Sequence, residues 1–386
     1  MRRSLALLLA LALTGCATDA PPTSPGPPTA GSPSPGLSPP LPVRAACTAR
    51  TPPASLPSGA SVAVLATDER ELTLFLVEDL TGCWIRLDPS QAPTKLHSLA
   101  VHPNRRFVLA SGEVAPGKAG VAAYAIVPER AALDGLGASW MEEHWFDHPG
   151  SLAVTDDAVY MLSGGPHTGY HGGMWRWAFE TGDGGLTWRG IAGHAHDAFF
   201  LQKRGDGAYV YLGTEVDGPS GWSILVYRVG PGGILTLVSE TSLGGQAAAV
   251  ADPAGTFFWV VTHGRTDRLD AYRPAPNGSL GSSKGAVEWR ARAPVPHPSG
   301  RVLYSASAMR VEAYAVDPLT GTPRLTAQVD YADGDQQPLA VDPSGRFLYA
   351  ASATEVHAFR TDGEGRLEEY GRVAPGGTRL VLTRVP

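Results

Sequence analysis

The histidines are the first chemical signal in this chain, because eleven are present and several lie close enough together to act jointly. His194-Ala195-His196-Asp197 sets two imidazoles two residues apart. Alternate side chains of an extended strand share a face, so this spacing predicts both rings aimed the same way, as a metal site or an acid/base pair requires. His167-Thr168-Gly169-Tyr170-His171, followed by Gly172 and Gly173, forms a second pair in a loop, and the two pairs together could supply four nitrogen ligands. The competing reading is a polar loop surface with its imidazoles bonded to carbonyls. No HExxH or comparable ligand motif is present, so neither a metal nor another cofactor is expected. His97, His263, Glu113, Arg265 and Arg292 complete the set of candidate binding and acid/base residues.

These residues are far apart in sequence, so a repeating architecture must gather them. Val250-Ala251-Asp252-Pro253-Ala254-Gly255, Val295-Pro296-His297-Pro298-Ser299-Gly300 and Val341-Asp342-Pro343-Ser344-Gly345 align, and their prolines are 45 residues apart. His102-Pro103-Asn104 is an earlier copy, 150 residues before Pro253, leaving room for two degenerate repeats at Ser151–Leu162 and Asp197–Leu212. Asp at the first position, Pro at the second and Gly at the fourth suit a type I turn, so each copy predicts a hairpin. Downstream of Gly345 come Glu355–Arg360, a Gly363-Glu364-Gly365 turn and a more polar strand from Arg366 to Val373. Four antiparallel strands per 45 to 50 residues predict a propeller blade. The N-terminal strands Ser61–Leu65, Glu71–Leu76 and Cys83–Leu87 lack a first strand, and Arg379–Val385 has nothing after it. The expected fold is therefore an all-β, seven-bladed β-propeller over residues 58–386, closed by pairing of the C-terminal strand with the N-terminal ones.

Composition agrees with that architecture. Gly (46) and Pro (34) make up about a fifth of the 386 residues, and 43% are hydrophobic, favouring short strands and turns around a large core. In such a blade the second-to-third and fourth-to-next-first connections emerge on one face. That face is expected to carry His97, His148, His167, His171, His194, His196 and His263, whereas His102 and His297, inside the proline turns, are expected to serve packing.

The blade pattern Asp/His-Pro-x-Gly-Arg-hydrophobic-Leu-Tyr, followed by a Tyr or Phe strand and Asp-x-x-Thr-Gly, is clearest from Val295 to Arg324 with Asp317-Pro318-Leu319-Thr320-Gly321. It resembles the seven-bladed lactonase family of 6-phosphogluconolactonase-type and carboxymuconate-cyclase-type enzymes. The resemblance implies an Arg-His pair at an innermost strand, holding an anion, and an Asn-Glu pair after the following strand, supplying an acid/base. Here Arg292 keeps the arginine but Ala293 replaces the histidine, Ser307-Ala308 replaces Asn-Glu, Glu113 keeps the acidic position, and His97-Ser98 stands at Arg-His. No blade keeps the whole set. Two functions follow as expectations: a binding or interaction module, or a divergent lactone hydrolase with Glu113 or His196 as base and Arg292 or Arg265 holding the anion.

The N-terminus addresses location. Leu5–Leu13 behind Arg2 and Arg3 has the length of a signal-peptide core and is too short to span a bilayer, and Leu13-Thr14-Gly15-Cys16 resembles the bacterial lipobox. Residues 1–15 are expected to be a lipoprotein signal and Cys16 the lipidated residue, with multiple acyl chains giving stable anchoring at ~0.8 kcal/mol per buried CH₂. Residues 16–57 hold 13 prolines from Pro21 onward and are expected to be a tether. The thirty residues between Cys16 and Cys47 reach on the order of 90 Å when fully extended. Cys47 and Cys83 are expected to form a disulfide in an oxidising compartment. Removing Arg2 and Arg3 with the signal leaves 29 basic against 37 acidic side chains, so nucleic acid is not an expected partner. The expected partners are the membrane, through the anchor, and an envelope protein, glycan or small-molecule ligand at the cell envelope.

Overall fold

A computed structural model of the chain describes residues 51–68, 71–141, 149–163, 173–194, 196–215, 221–263, 267–289, 294–307, 310–330 and 338–386. Seven four-stranded antiparallel sheets form the blades of a propeller. Blade one is built from Arg379–Arg384, Ser61–Asp68, Glu71–Val77 and Trp84–Gln91, from the innermost strand outward. Val64 pairs with Val381 and Ala63 with Leu382, so the last strand is hydrogen-bonded to the first and the ring closes as the sequence predicts. The closure reaches blade two as well: Arg379 Nε donates to the carbonyl of His97.

The proline turns form as the sequence reading expects. The amides of Gly255, Gly300 and Gly345 donate to the carbonyls of Asp252, His297 and Asp342, each at 2.8 Å. Those glycines have φ between +69° and +75°, where a Cβ would be strained. Blade two carries Arg105 at the same position, with φ 61°. The turn histidines join neighbouring blades: His102 Nε2 lies 3.1 Å from the carbonyl of Asp156, and His297 Nε2 lies 2.9 Å from that of Gly345.

A second device recurs where blades meet. An aromatic group in the second strand of one blade reaches the outer part of the next blade: Tyr160 to the Gly233 carbonyl, Tyr211 to Gly278, Trp259 to Gly321, Tyr349 to Gly82, and Tyr304 to the Thr361 hydroxyl. These rings are fully buried, so each polar tip meets the requirement that a buried donor be satisfied. Burial pushes the Tyr160 and Tyr211 hydroxyls up to about 12, keeping them protonated donors. The second strands are buried almost throughout, as in Phe347–Ala351, which is buried at every position.

The outer edges are handled differently. The outermost pairing contains a register irregularity in blades one, two, three, four, six and seven. Bulges bend and twist an open edge, which hinders edge-to-edge association. Leu56, assigned by its proline-rich surroundings to the tether, is buried in the core of blades one and two, and its amide donates to the Pro128 carbonyl at 2.7 Å.

Candidate functional site

The face bearing the second-to-third connections was expected to hold the site. Glu113 lies in the second strand of blade two (Phe107–Ala115), paired with Thr94 of the innermost strand. Its Oε1 accepts from the Gly117 amide at 2.6 Å, and its Oε2 lies 3.1 Å from Lys95 Nζ. The amide first, and the ammonium second, hold its carboxyl below the usual carboxylate range. It lines a cleft of about 640 Å³ whose walls are Ser90–Pro93, Val114–Pro116, Ala122–Tyr124 and parts of Gly135–Ala138. A carboxylate stabilised in this way is a weak proton acceptor, because general-base efficiency improves as the pKa approaches the working pH.

His97 is half-buried in the innermost strand of blade two, Thr94–Val101. His263 follows the second strand of blade five; it is exposed, and its Nδ1 lies 3.3 Å from Asp267 Oδ2. A proton on Nδ1 shared with that carboxylate leaves Nε2 as the acceptor, the orientation an acid/base imidazole needs. The His194/His196 pair differs from the expected geometry. His194 is the last residue of the outermost strand of blade three (Leu186–His194), and His196 is the first of the innermost strand of blade four (His196–Lys203). The two therefore belong to different sheets, and strand alternation cannot align them; the sequence concealed this because no turn signal separates them. His196 is paired with Glu215 across blade four. Arg265, Arg292, His167, His171, Cys16 and Cys47 lie outside the described residues.

One cluster escaped sequence reasoning. In blade seven, His357 is buried, with Nε2 2.8 Å from Glu355 Oε1 and Nδ1 3.3 Å from Glu369 Oε1, while Arg372 Nε lies 2.8 Å from Glu355 Oε2. The available signal was Glu355-Val356-His357, two polar residues on one face of a strand. The contribution of Glu369 and Arg372 from the neighbouring strand had no local signal. Among the described residues, no group of three His, Cys, Asp or Glu side chains could hold a metal ion.

No protein-family model matches the sequence, and no curated protein matches it. Solved structures do match the fold. A Bacteroides fragilis protein named as a 6-phosphogluconolactonase superposes with a TM-score of 0.69 at 16% identity, over 84% of this chain and 98% of its own. A Bacteroides uniformis protein of the same name gives 0.67 at 17% identity, over 85% and 100%. The periplasmic gluconolactonase of Pseudomonas aeruginosa gives 0.66 at 17% identity, over 85% and 100%. The chain thus shares the seven-bladed fold of these lactonase-type proteins. At that identity the likeness extends to the fold, while function is set by the residues of the site.

Proposed function

We propose that this chain is a lipid-anchored lipoprotein of the bacterial cell envelope whose lactonase-like propeller acts as a binding or interaction module. Binding is favoured over hydrolysis by the state of Glu113. Of the acidic residues that the lactonase resemblance offers as base, it alone keeps the position, and its carboxylate is committed to the Gly117 amide and Lys95 with its pKa lowered. The lipobox at Cys16 and the proline-rich tether support presentation of the module away from the membrane, and a Cys47–Cys83 disulfide would tie the end of the tether to blade one. The partners proposed are the membrane, through the anchor, and an envelope protein, glycan or small-molecule ligand.

Divergent lactone hydrolysis is the second reading, supported by the fold likeness to a periplasmic gluconolactonase. It would use Glu113 or His196 as base and Arg292 or Arg265 to hold an anion. Assaying hydrolysis of sugar and aliphatic lactones by the wild type, Glu113→Gln and His196→Ala separates the two. The binding reading expects no turnover above background in any of the three. Turnover by the wild type that either variant abolishes would replace it with the hydrolase. Anchoring has its own test: Cys16→Ser should move the protein from the membrane fraction to the soluble fraction, and an unchanged distribution would remove the lipid anchor from the proposal.

A further inference from the structure

The cleft beside Glu113 lies where blades one and two meet. Ser90–Pro93 belong to the end of the outermost strand of blade one and the chain leading from it, and the other lining residues belong to blade two. Its polar groups therefore come from both blades: Ser90 and Gln91 from one, and Glu113, with Lys95 Nζ 3.1 Å from its Oε2, from the other. Tyr124 braces the two walls, its hydroxyl donating to the Gln91 carbonyl at 2.9 Å. Trp140 adds an aromatic face. It stands two residues beyond the lining residue Ala138 in the outermost strand of blade two (Ala132–Trp140), and the ladder runs without a shift from Ala122–Ala138 to Gly120–Trp140. Both side chains therefore leave the same face of the strand. A Cβ at Gly120 would lie 2.8 Å from Trp140 Cα and 2.9 Å from Val114 Cγ2, which places the tryptophan beside the cleft wall next to Glu113. Among the described tryptophans Trp140 alone is exposed, at 45%. An indole left in water forgoes the burial that large aromatic side chains otherwise gain, and exposed aromatic residues of this kind concentrate in binding surfaces.

We propose, resting on the binding reading above, that this cleft takes a neutral sugar ring of a glycan, its apolar C–H face on Trp140 and its hydroxyls on Glu113, Ser90 and Gln91. The charge pair selects against ions, because a cation meets Lys95 and an anion meets Glu113. Hydroxyls both donate and accept, so they suit a carboxylate, an ammonium, a serine and an amide together, and a carboxylate has about four lone-pair sites to share among its partners. The lowered pKa of Glu113 keeps it an acceptor across the neutral range. The volume, about 640 Å³, falls within the roughly 300–1,000 Å³ of small-ligand sites.

The test is isothermal titration of the detergent-solubilised full-length protein with maltotriose, cellotriose, triacetylchitotriose and, as a cationic probe, choline chloride. Saturable binding of at least one trisaccharide is expected. Trp140→Ala should weaken it about tenfold, the scale of a lost aromatic contact, and Gly135→Leu should abolish it by filling the cleft. A Cβ at Gly135 has no neighbour nearer than 3.9 Å, so that substitution is compatible with the fold. Circular dichroism reports folding, and Trp140→Ala, at an exposed position, decides the matter if Gly135→Leu does not fold. No saturation by any trisaccharide, saturation by choline in their place, or wild-type affinity in folded Trp140→Ala would overturn the proposal. The lactone assay keeps the two readings apart: turnover alongside trisaccharide binding that Trp140→Ala weakens would remove the pure binding role and leave the sugar site standing, whereas neither turnover nor trisaccharide binding would remove the sugar site alone.

Discussion

Arg105 occupies the left-handed conformation that Gly255, Gly300 and Gly345 hold in the equivalent turns. That conformation costs an L-residue about 1–2 kcal/mol, and glycine gives back part of this through its larger unfolded-state entropy. Arg105→Gly should therefore raise stability by roughly 0.5–1 kcal/mol, measured by urea unfolding. Tyr349 makes the complementary case: its hydroxyl satisfies the Gly82 carbonyl where blade seven meets blade one. Tyr349→Phe should cost about 1–3 kcal/mol by leaving that carbonyl unsatisfied, again measured by urea unfolding. Asp317 has a lowered pKa because the Thr320 and Leu319 amides donate to its carboxylate. A depressed folded-state pKa contributes stability above the unfolded value and loses it as pH falls through the folded one. The stability gap between the wild type and Asp317→Ala should hold above about pH 5 and close as acid protonates the carboxylate; a gap that widens in acid would reverse this assignment.

At the scale of elements, each strand's role follows from its position in a blade. Second strands such as Ala158–Ser163 and Phe347–Ala351 are buried at every position, while outermost strands such as Pro323–Asp330 are largely exposed. The strand Arg379–Arg384 is exceptional because it is the innermost strand of a blade whose other three strands come from the far end of the chain. Deleting residues 379–386 removes its whole ladder with Ser61–Asp68 and uncovers Val64, Leu65 and Ala63, all buried. The melting temperature should fall sharply; an unchanged value would show that the ladder contributes no stability. The turn pattern made this element legible in advance, since seven sets of four strands could be counted only by joining the ends. That His194 and His196 belong to different sheets was not legible, because nothing in the sequence between them carries a turn motif.

For the whole molecule, closure makes the two ends of the propeller neighbours: Ser58 Oγ donates to the Pro386 carbonyl at 3.1 Å, and the Gly59 amide donates to the Val385 carbonyl at 3.0 Å. Cooperative stability should then depend on an intact ring more than on where the chain begins. A permutant joining Pro386 to Ser58 through a short glycine linker and opened beside the exposed Leu319 should keep the circular dichroism spectrum and a single unfolding transition, since exposed loop tips tolerate new termini. Separate transitions would mean that the blades near the cut fold independently.

The amino-acid sequence alone determined the blade count, the closure and the turn chemistry, because these follow from local preferences repeated at a fixed period: proline and glycine at turn positions, alternation along strands, and an unmatched strand at each end. It also singled out Glu113 and His263 as polar residues at strand ends. Only the tertiary structure decided what those groups touch. Lys95 and Gly117 neutralise the appeal of Glu113 as a base, and Glu369 and Arg372 reach His357 from the adjoining strand. Such contacts depend on register and blade packing, and a one-dimensional pattern carries no record of which side chains these bring within a few ångströms.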